Sequence, residues 1–87
     1  MAAETFEKIT MFGAAWCSDC RRSKALLDGL GVDYDYVDVE NDLAGTVRAE
    51  AISGRKNIPV IVFPDAQFFV EPSDAELKAK LVEVGAA

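Results

Sequence analysis

Ile58-Pro59-Val60-Ile61-Val62-Phe63 constrains the fold of this 87-residue chain more than any other stretch. A continuous apolar run of this length suits a central strand buried on both faces, so other elements must cover the sheet that holds it. Proline cannot donate to a β ladder, which places Pro59 at the strand's first residue. Pro64-Asp65-Ala66-Gln67 then reads as a turn into Phe68-Phe69-Val70, giving an antiparallel hairpin. Phe68 and Phe69, being adjacent, point to opposite faces, and one of them is open to a partner.

The covering layers come from the remaining segments. Phe6 to Phe12 reads as a strand ended by Gly13-Ala14-Ala15, and Val32 to Val39 as a half-exposed edge strand with outward aspartates. Helical spacing of Cys20, Lys24, Leu27 and Leu30 predicts a helix over Ser18 to Leu30, closed by Gly29 and Gly31. Asn41 or Asp42 caps a second helix running to about Ile52, with Leu43, Val47, Ala51 and Ile52 on its buried face. Ser73-Asp74-Ala75-Glu76 is a capping box after Pro72, and Leu77, Leu81, Val82 and Val84 form the stripe of a third helix. The order is βαβαββα. Right-handed crossovers make the first three strands mostly parallel, and the hairpin adds an antiparallel edge, so the expected class is α/β with a four-stranded mixed sheet flanked by helices. A chain this short closes one core, so residues 1–87 are expected to form a single domain. Phe12, Leu27, Val60, Val62 and Leu81 are its expected core.

Charge and residue type narrow the function. Nine basic against fifteen acidic residues give a net charge of −6, which disfavours nucleic acid and anionic membrane surfaces. No run approaches the roughly eighteen apolar residues of a membrane span, and Met1 to Lys8 is unlike a signal peptide, so the expected location is the cytoplasm. Histidine is absent, which removes serine-histidine triads, histidine-ligated zinc and imidazole catalysis. Sulfur and carboxylate remain.

Both cysteines lie together as Cys17-Ser18-Asp19-Cys20, at the carboxyl end of the first strand where α/β sheets place their sites. A sulfur at a helix N-terminus meets unpaired N–H groups and the positive end of the macrodipole, which favour thiolate. Cys17 holds that place, and Cys20, one turn deeper, is more buried and less ionised. The reading is Cys17 as attacking nucleophile and Cys20 as resolving thiol. Trp16 shields the pair with an apolar plane. Arg21, Arg22 and Lys24 add positive charge that tunes the thiol or steers an anionic substrate, or else simply face solvent. Asp19 opposes a second negative charge unless it is solvated or paired. Arg55 and Lys56 can attract a carboxylate or phosphate, or form a solvated loop.

Trp16-Cys17-Ser18-Asp19-Cys20 after a first strand, with Ile58-Pro59 before a third, resembles the glutaredoxin group of the thioredoxin superfamily. Tyr34-Asp35, Val37-Asp38-Val39-Glu40, Pro72-Ser73 and Glu76-Leu77-Lys78-Ala79-Lys80-Leu81-Val82 are most similar to the actinobacterial mycoredoxins. The resemblance implies a thioredoxin-like fold in which Pro59 is cis and faces the cysteines, and in which the backbone of Ile58 pairs with substrate. It also implies a dithiol-disulfide oxidoreductase acting on protein disulfides or on S-thiolated proteins, as a monomer with no bound metal or prosthetic group. Electrons would come from mycothiol, from glutathione, or from thioredoxin reductase as in the redoxins serving ribonucleotide reductase; mycothione reductase would regenerate the first. Ser73 and Asp74 could meet the thiol cofactor, or act only as a helix cap. Ser18 and Asp19 stand where the family carries proline and tyrosine. The paired glycines that hold glutathione are missing from Phe68-Phe69-Val70-Glu71-Pro72, which weakens glutathione and is compatible with mycothiol. Zinc held by the Cys-x-x-Cys pairs of two copies, an iron-sulfur cluster bridged by Cys17 with an external thiol, and a static disulfide or two inert core thiols are the rival readings.

Overall fold

The computed structural model describes residues 6–87, so Met1 to Thr5 of the N-terminal segment lie outside the described residues. Seven elements follow the order β1 (Ile9–Gly13), α1 (Ser18–Gly29), β2 (Tyr34–Asp38), α2 (Leu43–Ser53), β3 (Val60–Val62), β4 (Phe68–Val70) and α3 (Asp74–Glu83). The strands form one four-stranded sheet in the order β2-β1-β3-β4. Side chains alternate across it. Ile9, Met11 and Ile61 face α1 and α3, where Cys20, Leu27, Leu77 and Leu81 complete a buried cluster. Phe12, Val60 and Val62 face α2 and meet Ala49. Every residue expected in the core is buried, and β2 is the expected edge strand.

The directions differ from expectation in one place. β2 runs parallel to β1, but β3 runs antiparallel to it, with Phe12 opposite Val60. The crossover rule fails because α2 does not carry the chain back to the start of the sheet. It stays near the ends of β1 and β2, where Thr46 Oγ1 donates to the Val39 carbonyl at 2.8 Å. β3 therefore enters beside the end of β1, which is the step that builds the site.

The helix stripes also differ. On α2 the buried residues are Gly45 and Ala49, while Leu43 and Val47 are 79% and 61% exposed. The cause is close approach: a Cβ on Gly45 would lie 2.6 Å from Val37 Cγ1, so small residues, and not bulky ones, form the contact with β2. On α1 the buried line is Cys20, Ser23 and Leu27, with Leu30 exposed at the C-cap and Lys24 only half-buried. On α3, Val82 and Val84 are exposed and Lys80 is buried with Leu77 and Leu81. Lys80 buries its aliphatic stem. Its ammonium donates to Asp65 Oδ2 and Gln67 Oε1, both at 2.7 Å, and to Glu83 Oε2 at 3.0 Å, tying α3 to the β3–β4 turn. At the N-terminal side, the strand starts at Ile9 and not Phe6, and it continues through Gly13. Phe6 instead packs edge-on against Phe12, with centroids 6.1 Å apart.

Candidate functional site

The turn after β1 is fixed by its backbone. The Cys17 N–H donates to the Ala14 carbonyl at 3.2 Å, and Arg21 Nη1 donates to the Ala15 carbonyl at 2.9 Å. Cys17 is thereby the N-cap of α1, in extended conformation, and its Sγ accepts the Cys20 N–H at 3.3 Å. That bond satisfies one of the orphan donors of the first turn with sulfur in place of the usual oxygen. On its other side the thiol faces the Ile58 carbonyl at 3.8 Å. The Ile58-Pro59 peptide is cis, and Pro59 is fully buried at the start of β3. Forty-one residues of sequence separate these two groups, and the antiparallel β3 joins them.

Both thiols are free, in unlike surroundings: Cys17 is partly exposed, whereas Cys20 is 1% exposed. Burial, followed by the hydrogen bond with Cys17, pushes the Cys20 thiol up to about 12. Room for its sulfur comes from Gly13, since a Cβ there would stand 3.1 Å from Cys20 Sγ. Neither this role of Gly13 nor that of Gly45 is visible in the sequence, because both depend on what a missing Cβ would strike.

Of the charged residues read as tuning, Arg22 is the most connected. Its guanidinium donates to Asp19 Oδ1 at 3.0 Å and to the Pro72 carbonyl at 3.2 Å, and its Nε lies 3.5 Å from Asp74 Oδ1. Asp19 is therefore paired, and the start of α3 is tied to the first turns of α1. Ser73 is the N-cap of α3: its Oγ accepts the Glu76 N–H at 3.1 Å, and its own N–H donates to Glu76 Oε1 at 3.0 Å. The structure thus gives Ser73 and Asp74 capping and ion-pair contacts, and brings Asp74 to Arg22.

Trp16 is 65% exposed and borders a groove of about 240 Å³. Ala14, Val39, Ala49 and Ile58 form its apolar lining. Thr46, Glu40, Glu50, Arg55, Lys56 and Asn57 supply the polar side. Trp16 and Ile58 thus belong both to the groove and to the immediate surroundings of Cys17. The contributions of Glu40, Thr46 and Glu50 escape sequence reasoning, since only the placement of α2 brings them here.

Among the described residues, no group of three or more His, Cys, Asp or Glu could hold a metal ion, and no helix is long and apolar enough to cross a membrane. A family model described as glutaredoxin matches residues 9–69. A Mycobacterium tuberculosis protein carrying the provisional name glutaredoxin is 32% identical over 77 residues, which is 87% of this chain and 92% of that protein. Mycoredoxin 1 of Corynebacterium glutamicum is 33% identical over 75 residues, covering 84% of this chain and 91% of that one. Among solved structures, a glutaredoxin from Archaeoglobus fulgidus superposes with a TM-score of 0.73 at 23% identity, over 83% of each chain, a likeness of fold.

Proposed function

The chain belongs to the glutaredoxin family of thiol-disulfide oxidoreductases, and from that premise we propose that it reduces disulfides in proteins, or between a protein and a small thiol, with mycothiol as reductant. The observation that carries this reading is the asymmetry of the pair: a partly exposed Cys17 sulfur at a helix N-cap, and a buried Cys20 one turn behind it.

The Cys17 thiolate attacks one sulfur of the substrate disulfide. A bond forms between Cys17 Sγ and that sulfur, the substrate S–S bond breaks, and the departing thiolate takes up a proton. Cys20 keeps its proton during this step, as its raised pKa favours. It then gives that proton to solvent and attacks Cys17 Sγ, which releases the second substrate thiol and leaves Cys17 and Cys20 joined. Two molecules of small thiol restore the dithiol. The first opens the disulfide and forms a mixed disulfide on Cys17; the second removes it and leaves as the oxidised small thiol. With a protein-mycothiol disulfide as substrate, attack on the mycothiol sulfur needs only Cys17 and one further thiol.

Ile58 and Pro59 serve to align the substrate backbone, Trp16 borders it, and Arg22 and Asp19 set the charge beside the pair. The similarity to mycoredoxin 1 supports mycothiol over glutathione. The working unit is residues 1–87 as one domain and a monomer, in a cytoplasm where small thiols keep cysteines reduced.

Reduction of the oxidised protein by mycothiol, by glutathione, and by thioredoxin reductase with NADPH, in parallel, tests this. Fastest reduction by mycothiol is expected. Faster reduction by the reductase would move the chain to the thioredoxin-reductase-coupled redoxins, and faster reduction by glutathione would make it a glutathione-dependent one.

A further inference from the structure

We infer that the buried Ser23 hydroxyl donates a hydrogen bond to the Cys20 thiolate while the mixed disulfide on Cys17 is resolved, which makes Ser23 a positioning residue for the second half of the reaction. The inference rests on Cys20 being the resolving thiol and adds the group that steadies its charge. Ser23 is fully buried, and its Oγ has no hydrogen-bond partner among the described residues. A serine inside a helix ordinarily donates to the carbonyl four residues back or points to solvent, and a buried polar atom left unpaired calls for a reason. The other buried polar side chains have partners: Thr10 Oγ1 donates to the Lys8 carbonyl, and the Lys80 ammonium has its three acceptors.

The surroundings of Ser23 name its partner. Cys20, Ser23 and Leu27 form the buried line of α1. That line packs into the apolar cluster with Met11, Ile61, Leu77 and Leu81, where Cys20 carries the only buried side chain that can ionise. Residues three apart on a helix have Cβ atoms about 5–6 Å apart, and each Cβ leans toward the helix N-terminus, so Ser23 leans over the turn that holds Cys20. One rotation about its χ1 bond brings the O–H to the sulfur.

The reduced protein does not need that bond, whereas the intermediate does. In the dithiol, burial and the hydrogen bond with Cys17 raise the Cys20 thiol to about 12, with the Ala14 backbone acting in the opposite direction. Once Cys17 Sγ is bonded to a substrate sulfur it carries no charge, and Cys20 must lose its proton to solvent before its sulfur can attack. The new charge then lies in an apolar pocket with the Ala14 backbone as one stabilising group. Ser23 supplies the second, and its O–H proton stays on the serine throughout. The ionisable groups whose charge reaches Cys20 are Cys17, Asp19 and, from β2, Tyr36, all of them unchanged when Ser23 is replaced.

The test mixes the reduced 87-residue chain with dithiodipyridine and follows thiopyridone release by stopped flow across pH. Cys17 attack releases the first thiopyridone in a phase that scales with reagent concentration; Cys20 attack on Cys17 Sγ expels the second in a phase that does not. Ser23→Ala should leave the first phase at its wild-type rate and slow the second. Loss of a hydrogen bond to a charged group leaves about tenfold less thiolate at neutral pH, and the greater nucleophilicity of the less acidic thiol returns part of this, so slowing of about three- to fourfold is expected. The deficit should close above the midpoint of the pH profile, and Ser23→Thr should restore most of the rate. The denaturant midpoint of Ser23→Ala should not fall, since the hydroxyl removed is unpaired. Equal second phases in wild type and Ser23→Ala, a deficit that persists unchanged through the midpoint, or a marked loss of stability in Ser23→Ala would overturn the assignment. A wild-type second phase that is absent, or that scales with reagent, would instead remove Cys20 from the resolving role, a failure of the underlying reading and not of the serine alone.

Discussion

At Cys17 and Cys20 the same side chain meets two environments three residues apart, and the difference lies in what each sulfur touches. Cys17 Sγ takes the Cys20 N–H and faces the Ile58 carbonyl, partly open to solvent; Cys20 Sγ lies in the core above Gly13. Cys17→Ser should abolish disulfide reduction altogether. Cys20→Ser should keep reduction of a small mixed disulfide and lose reduction of protein disulfides, and equal losses in both assays would break the role assignment. The difference in position and burial was legible in the sequence, because cap position and helical spacing are local properties. The second half of the Arg22 network was not. Asp19 and Arg22 are three apart on one helix, but Asp74 reaches Arg22 only through the packing of α3 on α1. Arg22→Ala leaves the Asp19 carboxylate uncompensated two residues from Cys17, so iodoacetamide should label Cys17 roughly two- to fivefold more slowly, the effect of a half-exposed pair worth about 0.5–1 kcal/mol. Adding Asp19→Asn should restore the rate. A double variant as slow as Arg22→Ala alone would show that the arginine acts by another route.

Among the elements, α2 departs furthest from its sequence pattern. Leu43, Val47, Ala51 and Ile52 suggest a stripe, yet only Ile52 of these packs against the core, and the helix turns Gly45 and Ala49 inward. Periodicity reports which residues are apolar, and says nothing of how near the partner surface lies. Here Val37 comes so close that only a hydrogen fits at position 45. Gly45→Ala should therefore destabilise the protein by about 1–3 kcal/mol through overpacking, although alanine is the better helix former by about 1 kcal/mol. Denaturant unfolding measures it. Val37→Ala makes space, so the two losses should fall short of additivity in the double variant; simple additivity would place the strain elsewhere. The capping box of α3 shows the opposite case. Ser73 and Glu76 hold both reciprocal bonds in the structure, as their spacing alone predicts.

For the whole molecule, the direction of β3 is the feature that joins fold to chemistry. The crossover rule and the glutaredoxin-like arrangement of Pro59 against the cysteines make incompatible demands: a parallel β3 would begin at the far end of the sheet from Cys17. The structure satisfies the second. Strand order and direction are set by where α2 lies, which local signals do not encode, whereas the proline and cysteine positions are fixed by chemistry that a short motif can display. The same topology buries Cys20 beneath the sheet's end, and this couples a redox residue to global stability. Its thiol rises from an ordinary 9.0 to about 12 in the folded chain. Between these values the unfolded chain has released the proton while the folded chain retains it, so the stability of the reduced protein is intact below about pH 9 and declines as pH rises toward 12. Tyr34, also raised by burial, is unaffected by the change, whereas Tyr36 is raised by burial and then by the charge on Cys20, so the difference between the two proteins reads Cys20 together with its coupling to Tyr36. Unfolding free energies of reduced wild type and Cys20→Ser should run parallel below pH 8 and converge or cross above pH 9, the wild type falling more steeply. Parallel curves through pH 11 would mean that Cys20 ionises in the folded protein as easily as in the unfolded one, and that burial does not hold its proton in place.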